Sequence, residues 1–258
     1  MDIGLMILIF FIGFIGSFTS GMLGIGGSII NYPMLLYVPP LLGFTAFTAH
    51  EVTGIGAVQV FFATLTAVLA YRKEGYLNKS LVLYMGISIL IGSFIGGYGS
   101  KLLSEGQINL IYAILATIAA LMMFVPKKGL DDIPVNQVKF HVPLAIISAF
   151  IIGIASGIIG AAGAFILVPV MLVVLKIPTR MTIATSLAIT FISSVGSASA
   201  KIVTGQIDLI PAIVLVIASI VASPLGATVG KKVNPKTLQV ILSIVIVATS
   251  VKIWFDFL

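Results

Sequence analysis

The sequence predicts an all-α polytopic membrane protein with about ten transmembrane segments, arranged as two inverted five-segment repeats with glycine-broken helices. Three observations predict this fold: the apolar composition, the spacing of the apolar runs, and a glycine-rich phrase that occurs twice. The 258-residue chain is 59% hydrophobic and only 9% charged, and its mean hydropathy is +1.23. This composition is typical of multi-pass membrane proteins and excludes a soluble globular domain.

Runs free of charges and turn signals divide the chain into ten apolar segments. They cover residues 3–20, 26–42, 48–70, 80–100, 107–125, 141–159, 163–177, 182–204, 210–229 and 237–257. A helix needs about 20 residues to cross the hydrocarbon core of a bilayer, so the second and seventh segments are short for a straight crossing. The longest polar interval predicts a cytoplasmic linker at 127–140, between a first repeat at 1–126 and a second repeat at 141–258.

The same glycine-rich sequence motif spans the beginning of the second and of the seventh segment. SGMLGIGGSIINYPMLL begins at residue 20 and SGIIGAAGAFILVPVML begins at residue 156, so the copies are 136 positions apart (156 − 20). Further matches occur at a spacing of 130, as between Gly96 and Gly226 (226 − 96). Because five crossings per repeat is an odd number, the second copy enters the membrane from the opposite side, which predicts an inverted repeat.

The basic residues test this topology, because Lys and Arg in short loops favour the cytoplasm. If all ten segments cross, 11 of the 14 lysines and arginines follow odd-numbered segments, and only Lys101, Lys201 and Lys252 lie opposite. If the second and seventh segments do not cross, the split becomes 8 to 6. The distribution favours ten crossings of the plasma membrane, with both termini outside the cytoplasm. Lys201, near the outer end of the eighth segment, is expected to snorkel to the interface.

Glycine and proline inside apolar helices indicate a transport site. In lipid, a broken helix is tolerated only where the break is buried in protein or lines a cavity. Paired breaks in inverted repeats mark substrate sites near the midplane, where free N–H groups and helix dipoles favour a small anion. The residues predicted to bind substrate are Gly24, Gly26, Gly27, Ser28, Asn31, Gly160, Gly163, Ala164, Thr185 and Ser186. The alternative is that the small residues only allow close helix packing, which is the role expected of Gly92, Gly96, Gly97, Ser223, Gly226 and Gly230.

Glu51 is an acidic residue inside an apolar run and is predicted to carry a coupling proton, with His50 beside it as a relay or a substrate donor. The alternative is that both residues cap the third segment at the membrane surface. At a spacing of 136, residues 48–50 of the first half stand opposite residues 184–186 of the second.

Several motifs resemble the sulfite exporter TauE/SafE family of membrane proteins. They are the phrase SGxxGxGG followed by proline, TIATSLAIT at 182–190, GQID at 205–208 and SPLGATVGKKV at 223–233. The resemblance extends over essentially the whole chain. It implies a secondary transporter for a small sulfur-containing anion such as sulfite, thiosulfate or an organosulfonate. The first half reads TAHE at 48–51, where the family usually carries a small hydroxyl-bearing motif, so this half departs from the pattern.

The residues leave two other classes open, namely a membrane-embedded enzyme acting on a lipid-linked substrate and a passive anion channel. An enzyme is disfavoured by the absence of clustered carboxylates and of a Ser/His/Asp set in the sequence. Because the sequence has no phosphate-binding loop of the GxxxxGK(S/T) type, ATP-driven pumping would require another subunit. Zero cysteines exclude thiolate catalysis and cysteine-ligated metals. We therefore expect no catalytic residue, metal or other cofactor, and no nucleic-acid partner. The expected partners are a small anion, the lipid bilayer and a coupling proton, and a homo-oligomer is left open.

Overall fold

The computed structural model describes residues 2–125, 135, 138–160 and 164–257. These residues form ten α-helices: α1 (Ile3–Leu23), α2 (Ser28–Leu41), α3 (Ala49–Tyr71), α4 (Lys79–Gly99), α5 (Glu105–Met123), α6 (Val142–Ile159), α7 (Ala164–Pro169), α8 (Thr179–Val203), α9 (Leu209–Lys232) and α10 (Pro235–Phe257). A 3₁₀ turn at Ser100–Leu102 follows α4, and a π-helical turn at Val170–Val174 follows α7. Most of the predicted linker, 127–134 with 136 and 137, lies outside the described residues, so the repeat boundaries stay a prediction.

Eight of these helices are long and apolar enough to cross a membrane, namely α1, α3, α4, α5, α6, α8, α9 and α10. The other two contain only shorter apolar stretches, Ile29–Leu41 in α2 and Phe165–Val174 in α7 with its π turn. Large apolar side chains are exposed along the outside of the long helices; on α4 they are Leu83, Ile87, Ile91, Phe94 and Ile95. Because a lipid-facing surface must be apolar, the described helices confirm a multi-pass membrane protein.

Polar side chains fix where the long helices begin. Thr48 and Glu51 form a capping box at the start of α3, and Ser104 and Gln107 form another at the start of α5. Asn78 caps α4 by accepting a hydrogen bond from the backbone of its first turn. Each cap satisfies N–H groups that have no partner within the helix. These residues therefore fix the position in the sequence at which α3, α4 and α5 begin.

The long helices approach one another closely through small residues. α4 packs on α6, and α1 packs on α9. A Cβ added at Gly96 would overlap the backbone oxygen of Ile154, and one added at Gly226 would overlap that of Phe18. The packing role that the sequence assigned to these glycines is therefore confirmed.

The helix bounds correct one detail of the predicted repeat. α2 and α7 begin 136 residues apart (164 − 28), but α3 and α8 begin 130 residues apart (179 − 49). The six extra residues of the first half therefore lie between the start of α2 and the start of α3. The predicted pairing of residues 48–50 with 184–186 was wrong, because the spacing changes before α3 begins. By helix position, Thr185 and Ser186 correspond to Ile55 and Gly56 (185 − 55 and 186 − 56, each 130).

Gly96→Ala is expected to lower the melting temperature of the detergent-solubilised protein, because the added methyl group would overlap the Ile154 backbone. Overpacking of this kind costs about 1–3 kcal/mol. Gly99→Ala is the matched control at the end of the same helix, where an added Cβ meets open space. It should leave the melting temperature unchanged or raised, since alanine favours a helix over glycine by about 1 kcal/mol. Equal melting temperatures for the two variants would contradict close packing of α4 on α6.

Candidate functional site

The connection between α1 and α2 is built from glycines in a backbone conformation that other residues rarely adopt. φ is +78° at Gly24, +77° at Gly26 and +78° at Gly27, in the left-handed region. Gly24 ends α1, and its N–H donates to Ser20 O at 2.8 Å. Ser28 begins α2 as predicted, and no side chain caps this helix. The first N–H groups of α2 therefore present a partial positive charge at the break.

α8 lies directly against this first break. A Cβ added at Gly24 would stand 2.7 Å from Ser186 Oγ and 2.9 Å from Ile183 Cα. Ser186 Oγ donates a hydrogen bond to Gly24 O at 2.9 Å, so the hydroxyl satisfies a carbonyl at the end of α1. The fold thus brings Ser186 to Gly24 from the opposite half of the chain.

A second glycine break follows α6. Gly160 ends this helix with φ +77°, and a Cβ added there would overlap Thr53 O on α3. Ala164 begins α7 as predicted, whereas Gly163 lies outside the described residues. Each break therefore packs on a long helix of the other half, the first on α8 and the second on α3.

Three buried side chains near the start of α2 carry polar atoms without a hydrogen-bond partner. These atoms are Ser20 Oγ, Asn31 Oδ1 and Nδ2, and Gln59 Oε1. The three residues are 0%, 1% and 0% exposed, respectively. Gln59 is held through its other amide atom, since Nε2 donates to Ser17 Oγ at 2.7 Å. Because an unpaired buried polar group costs about 1–3 kcal/mol, this group of residues is incomplete without a polar ligand or ordered water.

These side chains converge on the glycine that precedes α2. A Cβ added at Gly27 would stand 3.2 Å from Ser20 Cβ and 3.3 Å from Gln59 Nε2. Asn31 lies against Gly16 of α1, where an added Cβ would overlap the Asn31 amide. α1, α2 and α3 therefore line one polar site, which we call the α2 site and define by Ser20, Gly27, Asn31 and Gln59. The sequence predicted Gly27 and Asn31 as ligands; Ser20 begins the duplicated glycine phrase and Gln59 is a polar residue in an apolar run, but the sequence assigned neither to the binding site.

Of the serine and threonine hydroxyls on α8, some have a hydrogen-bond partner and others have none. Thr190 Oγ1 and Ser197 Oγ are buried without a partner, whereas Ser193 Oγ pairs with Ser156 Oγ at 3.1 Å. Thr185 Oγ1 accepts a hydrogen bond from the backbone N–H of Asn78 at 3.1 Å. The described contact of Thr185 thus lies at the start of α4 rather than at a glycine break, and its role as a ligand stays a prediction.

The described contacts of Glu51 and His50 lie at the start of α3. Glu51 Oε2 accepts hydrogen bonds from Thr48 N at 2.8 Å and from Thr48 Oγ1 at 3.0 Å. His50 Nδ1 lies 3.3 Å from Gln206 Oε1, and His50 Nε2 lies 3.1 Å from Leu103 O. The two neighbouring side chains therefore face different surroundings. A capping contact of Glu51 is present, and its role in proton coupling stays a prediction.

Lys201 does not snorkel to the interface, so this prediction was wrong. Its side chain lies near the end of α8 and is 0% exposed. Nζ donates to Ser100 Oγ at 2.7 Å and to Thr53 Oγ1 at 2.9 Å. It also donates to Gln206 Oε1 at 2.9 Å and to Ile158 O at 3.3 Å. Four neutral acceptors hold the ammonium group inside; Gln206 is five residues away in the chain, but the other three come from distant helices or turns that no local sequence pattern reveals.

Comparison with known proteins identifies the family. The family model described as "Sulfite exporter TauE/SafE" matches residues 9–253. The chain belongs to this family. TauE/SafE membership, together with the eight candidate spans, makes the protein a multi-pass membrane transporter.

Curated relatives extend over most of the chain. Probable membrane transporter protein YunE of Bacillus subtilis (strain 168) is 23% identical over 269 residues and covers 97% of each chain. A probable membrane transporter protein of Methanocaldococcus jannaschii is 23% identical over 246 residues, covering 92% of this chain and 90% of its own. Another from Xylella fastidiosa (strain Temecula1 / ATCC 700964) is 29% identical over 177 residues, covering 68% and 65%. No solved structure matches the chain. The relatives' names are consistent with a protein that is not an enzyme.

Asn31→Leu is expected to raise the melting temperature of the ligand-free protein, because leucine removes a buried amide with both polar atoms unpaired. Asn109→Leu is the matched control, since Asn109 Oδ1 accepts a hydrogen bond from Tyr32 OH at 2.6 Å. Its loss should lower the melting temperature by the equivalent of about 1–3 kcal/mol. If both variants were destabilised alike, the Asn31 amide would be paired and the α2 site complete without a ligand.

Proposed function

We propose that this protein is a secondary transporter of a small anion, a sulfur oxyanion or organosulfonate of the sulfite or thiosulfate type, and that the anion binds at the α2 site. Membership of the TauE/SafE family supports the class of substrate. The observation that carries the location is the set of buried, unpaired polar atoms beside the uncapped start of α2. Ser20 and Gln59 are thereby added to Gly27 and Asn31, which the sequence had predicted to bind the anion.

The α2 site matches the chemistry of a small oxyanion. Backbone N–H groups at the start of α2, Asn31 Nδ2 and Ser20 Oγ are donors suited to oxyanion oxygens. Gln59 Oε1 and Asn31 Oδ1 are acceptors, which suit an anion that still carries one proton, such as hydrogen sulfite. Ser20, Asn31 and Gln59 are all uncharged, so binding would be moderate. Moderate binding favours transport, because the anion must leave the site as well as enter it.

We infer that the two halves form an inverted repeat of five crossings each. The packing of α1 on α9 corresponds to that of α6 on α4 when the halves are exchanged. The contact of Gly96 with Ile154 likewise corresponds to that of Gly226 with Phe18, at spacings of 130 (226 − 96) and 136 (154 − 18). An inverted repeat supports alternating access, in which one half rocks against the other around the glycine breaks.

Flux of sulfite and thiosulfate into proteoliposomes that hold only this protein tests the proposal. Saturable flux supports a carrier, unsaturable flux indicates a channel, and no flux of either anion overturns the proposed substrates. Gly27→Leu should abolish flux, because its Cβ would stand 3.0 Å from Gly16 O and 3.2 Å from Ser20 Cβ. Gly75→Leu is the matched control, with a similar φ of +72° but open space around the Cβ. Equal flux through both variants would contradict the α2 site.

Glu51→Gln is expected to remove the dependence of flux on an imposed pH gradient, because glutamine cannot carry the coupling proton. Glutamine keeps an oxygen that can accept the hydrogen bonds from Thr48, so the start of α3 should persist. The measurement is the ratio of flux with and without the gradient in the same proteoliposomes. An unchanged ratio would leave Glu51 with its capping role alone.

A further inference from the structure

The buried Lys201 side chain joins separate parts of the molecule at one end of the helices. Thr53 belongs to α3, Ser100 to the turn after α4, and Ile158 to the last turn of α6. Ile158 stands two residues before the Gly160 break, and Thr53 O is the atom on which Gly160 packs. The ammonium group therefore ties the second break to α3 and α8. We call Lys201 with its acceptors on Thr53, Ser100, Ile158 and Gln206 the Lys201 clamp.

The clamp contains a cation without a counter-charge. Within the described ranges, no carboxylate lies within ion-pair distance of Lys201 Nζ. Within three residues of the clamp's acceptors along the chain, the titratable and charged side chains are His50, Glu51, Tyr98, Lys101 and Asp208. Of these, His50 shares the acceptor Gln206 Oε1 with Lys201, while Glu51 and Asp208 cap their own helices. Neutral acceptors alone thus hold the charged form of Lys201.

At the opposite end of the molecule, the corresponding elements hold a cation that is ion-paired and partly exposed: Lys231 Nζ lies 5.6 Å from the centroid of the Tyr71 ring, donates to Ala70 O and pairs with Glu74. Lys201 corresponds to Tyr71 (201 − 71 = 130), and Ser100 corresponds to Gly230 (230 − 100 = 130). A Cβ added at Gly230 would stand 2.9 Å from Tyr71 OH and 2.7 Å from Met22 O. Met22 in turn corresponds to Ile158 (158 − 22 = 136). One end therefore combines a tyrosine ring with a lysine that is paired with a carboxylate, whereas the other is joined by hydrogen bonds from a fully buried ammonium group.

We propose that the Lys201 clamp holds its end of the transporter closed, and that loss of the Lys201 proton to water opens that end. An ammonium group has three N–H donors for the four acceptors, whereas a neutral amine has only two, and each is a weaker donor than a charged N–H. Deprotonation therefore releases contacts between α8 and the elements around the second break. This inference rests on the proposed function, because an end that opens matters only to a transporter.

The absence of native cysteines allows a direct test of access to the interior. Ala57 is 0% exposed and lies one helical turn beyond Thr53 on α3, so Ala57→Cys places a single thiol beneath the clamp. A membrane-impermeant maleimide is supplied from the side of the clamp, which the basic residues assign to the outside. Adding Lys201→Met should raise the labelling rate by about tenfold or more, since hydrogen bonds from a charged donor change an equilibrium by at least this factor. Lys231→Met, at the opposite end, is the matched control and should leave the rate unchanged.

The pH dependence of labelling separates a proton-controlled clamp from a merely structural lysine. Labelling of Ala57→Cys, divided at each pH by the rate for the denatured protein, should rise between about pH 6, the upper end of the pKa values documented for buried lysines, and about pH 10, the ordinary pKa of a lysine. With Lys201→Met added, the corrected rate should be high and independent of pH. A corrected rate that does not change with pH in the Ala57→Cys protein, or Lys201→Met labelling at the parent rate, would overturn the clamp. Because labelling measures access, absence of anion flux would overturn the proposed function and leave this result standing.

Discussion

The structure depends on one constraint, which is that a helix broken inside a bilayer must have its free backbone groups buried in protein. At the first break, glycines with positive φ make the turn, and Ser186 of the other half satisfies Gly24 O. At the second, Gly160 packs on the backbone of Thr53. Each break is therefore covered in part by a long helix from the other half, so both halves contribute to burying the two breaks.

α3 and α8 therefore connect the region around the α2 site with the Lys201 clamp. Gln59 of α3 lies at the start of α2, while Thr53 of the same helix contacts the second break and accepts a hydrogen bond from Lys201. A change in the position of α3 would alter the α2 site and the Lys201 clamp together. A rigid helix that contacts both places is one physical route by which they can be coupled.

Most of the helical segments could be predicted from the sequence, but fewer of the contacts made by the polar side chains. Glycine spacing and hydropathy were sufficient for the segments, the first break and the helix starts at Ser28 and Ala164, because these features follow from local backbone freedom and helix length. The burial of Lys201 and the place of Gln59 depend on acceptors and neighbours contributed by other helices, which no local pattern encodes. The pairing of residues 48–50 with 184–186 failed because six residues are inserted before α3, where no motif marks the change of spacing.

The two halves share a backbone plan but differ in the side chains that carry chemistry. Asn31 corresponds to Leu167 (167 − 31 = 136) and Gln59 to Ile189 (189 − 59 = 130), and both apolar partners are fully buried. Lys201 corresponds to Tyr71. Equal halves would give a transporter whose two closures respond alike to the same conditions. Asn31, Gln59 and Lys201 face residues of different chemistry at the corresponding positions, so under the proposed mechanism the repeated helices would supply the movement and these unmatched side chains would make the two ends respond differently.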